Sequence, residues 1–136
     1  MPWKLNTEFT FDSAHIISGY DGPCGRLHGH TYRVRLELSA ERLRSSAHVR
    51  RDIMVADFKT LKWAKKDVDQ GGLDHMMLND HPELGDDSTA EVIVAYIHRE
   101  TMRRVRSNLE AGDEGHDLRL KVTLWETPDS SCEYWE

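Results

Sequence analysis

Two stretches of alternating apolar and polar residues near the N-terminus constrain the fold more than any other feature of this chain. Trp3 to Phe11 places its larger side chains on one face, and a second alternation runs from Tyr32 to Leu38. A period of two residues is typical of β-strands with one buried face. The two stretches therefore predict a pair of strands joined by a long connection over residues 12–29.

That connection contains an unusual set of side chains that bind metals. Cys24 and His28 lie close together in it, His30 follows it directly, and His15 lies upstream of the cysteine. Histidines two residues apart on an extended strand point to the same face, so His28 and His30 can converge on one ion. Three neutral imidazoles hold zinc and leave a fourth position open, which is the usual arrangement of catalytic zinc. The pattern predicts a zinc site with a cysteine beside it.

The role of the cysteine is left open by the spacing alone. Cys24 is either a fourth ligand, which would close the site into structural zinc, or a thiolate base held near the metal. A structural zinc module would use Cys24, Cys132 and two of the histidines, and it would bind a partner and unfold on chelation. In a reducing compartment two cysteines are expected to stay free thiols, so no disulfide is predicted.

Two helices are predicted in the middle of the chain. Asp57 is a good N-cap for the first, which ends at Gly71-Gly72. Ser88-Thr-Ala-Glu91 is a capping box that opens a longer helix ending near Ala111-Gly112. The apolar stripes of the two helices are Phe58, Leu61, Ala64 and Val68, and Val94, Ile97, Thr101 and Val105.

Two further strands complete the predicted domain, which spans residues 1–136. Leu118 to Leu124 alternates, and Cys132 to Trp135 follows a turn at Pro128-Asp129. The order β-β-α-α-β-β predicts an α+β fold, with a four-stranded antiparallel sheet and both helices on one face. Four strands cannot close a barrel, so the open edges favour a barrel formed by an oligomer.

Charge and hydropathy argue against two classes of partner. The net charge is −6, yet residues 24–66 carry eleven Lys or Arg and only four Asp or Glu. Stacking aromatic residues do not interleave these charges as a nucleic-acid groove requires, so they are interpreted as solvated and no nucleic-acid partner is expected. No leader and no run of roughly 20 apolar residues is present, so no membrane partner and a cytoplasmic protein are expected.

Several motifs together identify a family resemblance. They are Phe-Asp-Ser-Ala-His15, Cys24-Gly-Arg-Leu-His28-Gly-His30, Val-Ala-Asp57-Phe58, Leu-Asp74-His75-Met-Met-Leu-Asn79, Ser-Thr89-Ala-Glu91 and Trp-Glu126-Thr. From Phe9 to Tyr134 the chain resembles the 6-pyruvoyltetrahydropterin synthase and 6-carboxytetrahydropterin synthase family of the tunnelling fold. The three-residue gap between Cys24 and His28 is similar to that of the carboxytetrahydropterin synthases of the queuosine route.

The resemblance implies a role for each residue of the motifs. The implied zinc ligands are His15, His28 and His30. Cys24 is the implied general base, and Asp74 with His75 is the implied second acid–base element, placed across a subunit interface. Glu126 is implied to anchor a pterin ring by accepting two hydrogen bonds. Thr89 either adds contacts to that ring or serves only as a helix cap.

The reaction implied by the resemblance is a zinc-dependent lyase step on 7,8-dihydroneopterin triphosphate. Triphosphate and acetaldehyde leave, and 6-carboxy-5,6,7,8-tetrahydropterin remains, as a precursor of queuosine, another 7-deazapurine or a pterin. No nicotinamide or flavin is needed because the redox change is internal, and no Gly-rich dinucleotide motif occurs. Elimination of the pyruvoyl type stays an alternative. The expected assembly is a homohexamer of two stacked trimers, or another stack of rings.

Overall fold

Two long antiparallel strands frame the structure, a computed structural model that describes residues 1–136. Strand β1 (Trp3–His15) pairs along its whole length with strand β2 (His28–Ala40), so that His15 lies opposite His28. The alternating pattern predicts shorter strands and a connection over residues 12–29. The connection is instead residues 16–27, because the backbone ladder continues through polar residues at both strand ends.

The sheet has five strands in the order β3-β1-β2-β4-β5. Strand β4 (Arg119–Thr127) pairs antiparallel with β2, and strand β5 (Ser130–Trp135) pairs antiparallel with β4. Strand β3 (Met76–Met77) is parallel to β1 and pairs only with Ser13 and Ala14. Four strands are predicted from the sequence. The fifth is too short to show an alternating pattern, so the pattern misses it.

Helix α1 (Phe58–Val68) begins where the sequence predicts, because the Asp57 side chain accepts a hydrogen bond from the Lys59 N–H (2.9 Å). Its predicted stripe is buried except for Phe58, which is 56% exposed. A further irregular turn ends at Leu73, with Gly72 at a φ of +106° that favours glycine.

Helix α2 (Ala90–Ser107) departs from the prediction at both ends. Its N-cap is Thr89, whose hydroxyl accepts from the Val92 N–H (3.3 Å), whereas the proposed capping box begins at Ser88. The helix ends at Ser107 and not near Gly112. The predicted stripe of Val94, Ile97, Thr101 and Val105 is buried throughout.

One hydrophobic core lies between the sheet and the two helices. Its strand residues include Phe9, Phe11, Val34, Leu36, Leu38, Leu120, Val122 and Leu124, and its helix residues include Leu61, Ile93 and Ile97. Helix α2 packs on β4 and β5, and α1 packs on α2. The α+β fold predicted from the sequence is confirmed. Neither helix is both long and apolar enough to cross a membrane.

The segment after β2 is anchored by a buried guanidinium. Arg44 is 4% exposed and donates to Asp113 Oδ2 (2.9 Å), Asp117 Oδ1 (2.5 Å) and the Val55 carbonyl (3.1 Å). The sequence predicts Arg44 in a solvated connection, which is wrong. Its two partners follow α2 and lie about 70 residues away along the chain, so no local pattern reveals the pairing.

Candidate metal centre and catalytic residues

The register of β1 and β2 brings three imidazoles together at one end of the sheet. The buried face of β1 continues from Phe9 and Phe11 to His15, and that of β2 continues from Tyr32 back to His30 and His28. Glu126 joins them from β4. One side-chain nitrogen or oxygen from each of His15, His28, His30 and Glu126 lies within 4.8 Å of all the others. The structure thus assembles the three predicted zinc ligands, on strands and not in a loop.

Carbonyl groups orient two of these imidazoles. His15 Nδ1 donates to the Ser88 carbonyl (2.8 Å) and lies 3.2 Å from Ser88 Oγ, and His28 Nδ1 donates to the Arg26 carbonyl (2.7 Å). A carbonyl only accepts, so each Nδ1 carries the proton and each Nε2 keeps its lone pair. Such outer contacts are typical of histidines that bind metals. The sequence does not reveal the contacts of Ser88 and the Arg26 carbonyl with these rings, because a backbone acceptor leaves no signature in the sequence.

The charge state and burial of the cluster fit a cation. Burial lowers the pKa of both His15 and His30, which keeps these imidazoles neutral and able to bind a metal at pH 7. The Nε2 atom of His15 is buried without a hydrogen bond, and the Nε2 atom of His30 is buried with only the Glu126 carboxylate beside it, at 2.9 Å. A buried acceptor without a partner is costly, and a bound ion would satisfy His15 Nε2. Neutral nitrogen donors with a carboxylate beside them are a donor set that zinc prefers.

Glu126 lies inside the imidazole cluster. Its Oε1 is 2.9 Å from His30 Nε2 and 3.8 Å from His15 Nε2. The resemblance assigns this carboxylate to a pterin ring, and the geometry adds a second candidate role as a neighbour of the metal. Its side chain is 26% exposed at the end of β4, so it can also reach outward from the cluster.

Cys24 lies in a compact turn of the segment between β1 and β2, outside the imidazole cluster. It belongs to a single 3-10 turn, Pro23–Gly25, and the Ile17 N–H donates to its carbonyl (3.0 Å), which closes the connection on itself. Gly25 is required next to it, because a Cβ there would collide with the Tyr20 carbonyl. The sulfur of Cys24 is not among the grouped ligand atoms. Cys24 is therefore not grouped with the candidate ligands, and its role as a base stays a prediction.

Cys132 is remote from the imidazoles. It lies on β5 opposite Leu124 and packs against the core. Both thiols are free, as predicted. The four-ligand set of Cys24, Cys132 and two histidines that a structural zinc module requires is not assembled.

Asp74 and His75 form a separate, exposed group. Asp74 Oδ2 is 2.9 Å from His75 Nδ1, while Asp74 Oδ1 accepts from the Asp12 N–H (3.0 Å). The His75 N–H donates to the Asp12 carbonyl (2.6 Å). The hydrogen bond to Asp74 raises the pKa of His75, and the Asp12 N–H lowers the pKa of Asp74. The carboxylate thus orients the imidazole, as the resemblance implies.

The two groups border one open groove but do not merge. The groove has a volume of about 570 Å³ and is lined by both His30 and His75. The His75 side chain is 77% exposed, and its φ of +56° is uncommon for any residue except glycine. A histidine held in this conformation by one backbone and one side-chain contact is a candidate functional position.

Thr89 is observed only in its capping role. Its hydroxyl oxygen accepts from the Val92 N–H, and the residue stands at the junction between Ser88 and α2. The predicted contact with a ligand ring stays a prediction.

Comparison with known proteins adds an independent line of evidence. A family model described as 6-pyruvoyl tetrahydropterin synthase matches residues 4–136. The 6-carboxy-5,6,7,8-tetrahydropterin synthase of Haemophilus influenzae is 33% identical over 148 residues, which cover 98% of this chain and 99% of that protein. The protein of the same name from Synechocystis sp. is 38% identical over 96 residues, or 70% of this chain and 71% of that protein.

The solved structures show a likeness in fold. The 6-pyruvoyl tetrahydropterin synthase of Caenorhabditis elegans superimposes with a TM-score of 0.72 at 23% identity, covering 98% of this chain and 95% of that chain. The corresponding protein of Plasmodium falciparum gives a TM-score of 0.71 at 20% identity, covering 98% and 97%.

Proposed function

The chain belongs to the 6-pyruvoyl tetrahydropterin synthase family, and from this premise we propose that it is a zinc-dependent lyase acting on 7,8-dihydroneopterin triphosphate. The proposed products are 6-carboxy-5,6,7,8-tetrahydropterin, acetaldehyde and triphosphate, in a route to queuosine or another 7-deazapurine. The carboxylate has one oxygen more than the side-chain hydroxyl supplies, so water is consumed. The observation that carries the proposal is the convergence of three imidazoles beside a carboxylate.

In this proposal His15, His28 and His30 hold the ion through their Nε2 atoms. A zinc ion bound there supplies a Lewis acid that polarises a side-chain oxygen of the substrate. The Ser88 and Arg26 carbonyls keep the imidazoles of His15 and His28 in the tautomer that such binding needs. The strands fix the spacing of the ligands, so little ordering is required when the ion enters.

Proton transfers are assigned to two groups. Cys24, as a thiolate, takes a proton from the substrate side chain, and Arg26 two residues later adds positive potential beside it. His75 exchanges a second proton at Nε2, because Asp74 occupies its Nδ1. The raised pKa of His75 suits a group that donates this proton near neutral pH. We propose that this pair completes the site of a neighbouring subunit.

Glu126 is assigned to the pterin ring. A carboxylate can accept hydrogen bonds from a ring N–H and an exocyclic amine together. Its side chain leaves His30 for the ring when substrate enters the groove. Thr89, at the start of α2, is the proposed second contact to that ring.

The assembly proposed is a homohexamer of two stacked trimers, with other ring stacks as alternatives. The strand order supports it, because β5 has a free outer edge and β3 covers β1 only at Ser13 and Ala14. Sedimentation at micromolar concentration tests the assembly. A chain that sediments as a 15.7 kDa monomer would contradict it. A cytoplasmic location is also proposed, because two free thiols suit a reducing compartment.

Mass analysis of the products after incubation with zinc and 7,8-dihydroneopterin triphosphate tests the proposed reaction. Formation of 6-carboxytetrahydropterin and acetaldehyde supports it. Loss of triphosphate without loss of a carbon fragment would favour the pyruvoyl-type alternative. If no conversion occurs and chelation unfolds the chain, the protein is a structural zinc module, since such a site contributes its binding energy to folding.

A further inference from the structure

Asn79 holds the backbone immediately after His15 with both atoms of its side-chain amide. Its Oδ1 accepts from the Ile16 N–H (2.9 Å), and its Nδ2 donates to the Ile16 carbonyl (2.8 Å). A primary amide has the same donor and acceptor as a backbone peptide group. The side chain therefore pairs with Ile16 as a neighbouring strand would.

The side chain of Asn79 pairs with β1 at the point where the backbone of strand β3 stops pairing with it. The backbone of β3 pairs with Ser13 and Ala14, one step before His15. The chain then turns away into a 3-10 turn, Leu78–Asp80, so its backbone is no longer beside β1. The Asn79 amide extends the parallel contact past His15, so the residues on both sides of this ligand are fixed.

A third hydrogen bond connects the same amide to the loop whose Ser88 carbonyl accepts from the His15 ring. Asn79 Nδ2 also donates to Asp86 Oδ1 (3.1 Å). Asp86 lies in the turn Gly85–Asp87, directly before Ser88. The Ser88 carbonyl is the acceptor for His15 Nδ1 (2.8 Å). One side chain thus links the backbone that bears His15 to the loop that orients its imidazole.

We infer that Asn79 is a positioning residue that fixes His15 for metal binding. This inference rests on the zinc site proposed above. The chemistry requires asparagine, because one acceptor and two donors are all in use. An aspartate would keep the bond from the Ile16 N–H, lose both donated bonds and place its charge against Asp86.

The test is a zinc titration of the whole protein in competition with a chromophoric chelator, with Co²⁺ absorption as a second report on ligand geometry. Asn79→Ala is expected to weaken zinc binding about tenfold, and Asn79→Asp about 100-fold, the range measured for residues that support metal ligands. The matched control is Asn108→Ala, whose amide bonds to Thr60 Oγ1 (3.4 Å) away from the imidazoles. Its zinc affinity should equal that of the unchanged chain.

A rescue experiment separates positioning from general stability. Combining Asn79→Asp with Asp86→Asn restores a donor opposite the new carboxylate, so it should recover about tenfold of the lost zinc affinity, the lower end of the same range. If Asn79→Ala lowers the melting temperature of the metal-free chain but binds zinc as tightly as the unchanged chain, the inference is overturned.

Two further outcomes are decisive. Should both Asn79 variants fail to fold, Asp86→Ala decides, because it removes only the link to the loop and should still weaken zinc binding measurably. Unchanged affinity in Asp86→Ala would then overturn the inference. If the unchanged chain binds no zinc, both the proposed metal site and this inference fail, whereas zinc binding that is insensitive to all these variants defeats the inference alone.

Discussion

The two histidine groups of this chain use the same residue types in opposite environments. His15 and His30 are largely buried and carry lowered pKa values, whereas His75 is exposed and carries a raised one. Desolvation dominates in the first group, and the hydrogen bond to Asp74 dominates in the second. Burial lowers the pKa of His15 and His30, so these rings stay neutral and can bind a metal ion. The Asp74 carboxylate raises the pKa of His75, so this ring can carry a proton and donate it.

The hydrogen bonds of the two groups follow the same division. In the buried group backbone carbonyls hold Nδ1 of His15 and His28, which leaves lone pairs at Nε2. In the exposed group a carboxylate holds Nδ1 of His75, and that carboxylate is itself held by the Asp12 N–H. At His15 burial lowers the pKa and outweighs the Ser88 carbonyl, which raises it, whereas at the exposed His75 the hydrogen bond to Asp74 has the largest effect and raises the pKa.

The largest expected effect comes from removing a ligand of the buried group. His28→Ala should release most of the bound zinc and reduce turnover about 10⁴-fold, because a metal supplies several kcal/mol of transition-state stabilisation. Metal analysis and product formation measure both. The matched control is His98→Ala, a buried histidine whose Nε2 contacts the Leu120 carbonyl (3.0 Å) in another part of the core. Full zinc content in the double variant His28→Ala with His30→Ala would refute the site.

The next effect distinguishes a base beside the metal from a ligand. Cys24→Ala should keep zinc and the oligomer but lose about 10³-fold in turnover, within the range for a missing general base. Cys132→Ala is the control and should be nearly silent, because this thiol packs beside the core. Loss of zinc in both cysteine variants would restore the structural interpretation and defeat the catalytic one.

A smaller effect is expected in the exposed group. Asp74→Asn should lower the pKa of His75 toward its ordinary value. It should also reduce turnover about 10²-fold, because His75 would then supply less of the rate enhancement that general acid–base catalysis provides. An NMR titration of the His75 ring gives the pKa. The matched control is Glu114→Gln, which breaks an exposed pair with His116 (2.8 Å) away from both groups. A His75 pKa that does not move would show that Asp74 does not tune the ring.

The last effect is on stability and needs no substitution. Burial lowers the pKa of His15, His30 and His98, so in the unfolded chain these rings bind protons at a higher pH than in the folded chain. Stability of the metal-free protein should therefore fall as the pH drops below about 6.5, by up to about 1.4 kcal/mol per pH unit for each extra proton bound on unfolding. Urea unfolding between pH 7.5 and pH 5 measures this and avoids most of the carboxylate titration. Constant or rising stability on acidification would contradict the assignment.

The sequence predicts the parts of this structure that depend on local periodicity. Alternation gives β1, β2 and the shared face of His28 and His30, and the family identified from the motifs is confirmed. Contacts between residues far apart along the chain are missed. Arg44 reaches two aspartates far along the chain, and Glu126 enters the imidazole cluster only because β4 pairs with β2.

Small elements and backbone contacts are missed for a different reason. Strand β3 has two residues, which is too few for any periodic signal. Ser88 resembles a helix cap in sequence, yet Thr89 takes that role and the Ser88 carbonyl serves His15 instead. Ser88 and Thr89 are adjacent and both are good N-cap residues, so the sequence does not show which of them begins the helix, and packing decides it.

The direct pairing of His15 with His28 fixes the distance between these two imidazoles whatever the length of the chain near Gly19, which lies before Cys24 and Arg26. Insertions near Gly19, where the left-handed backbone faces open space, should leave the imidazoles in place. Deletion of a single residue within β1 should disrupt the site, because a shift of one residue turns the following side chains of the strand to the opposite face of the sheet. Variation in length among relatives is therefore expected near Gly19, while the strands that carry the two histidines keep their lengths.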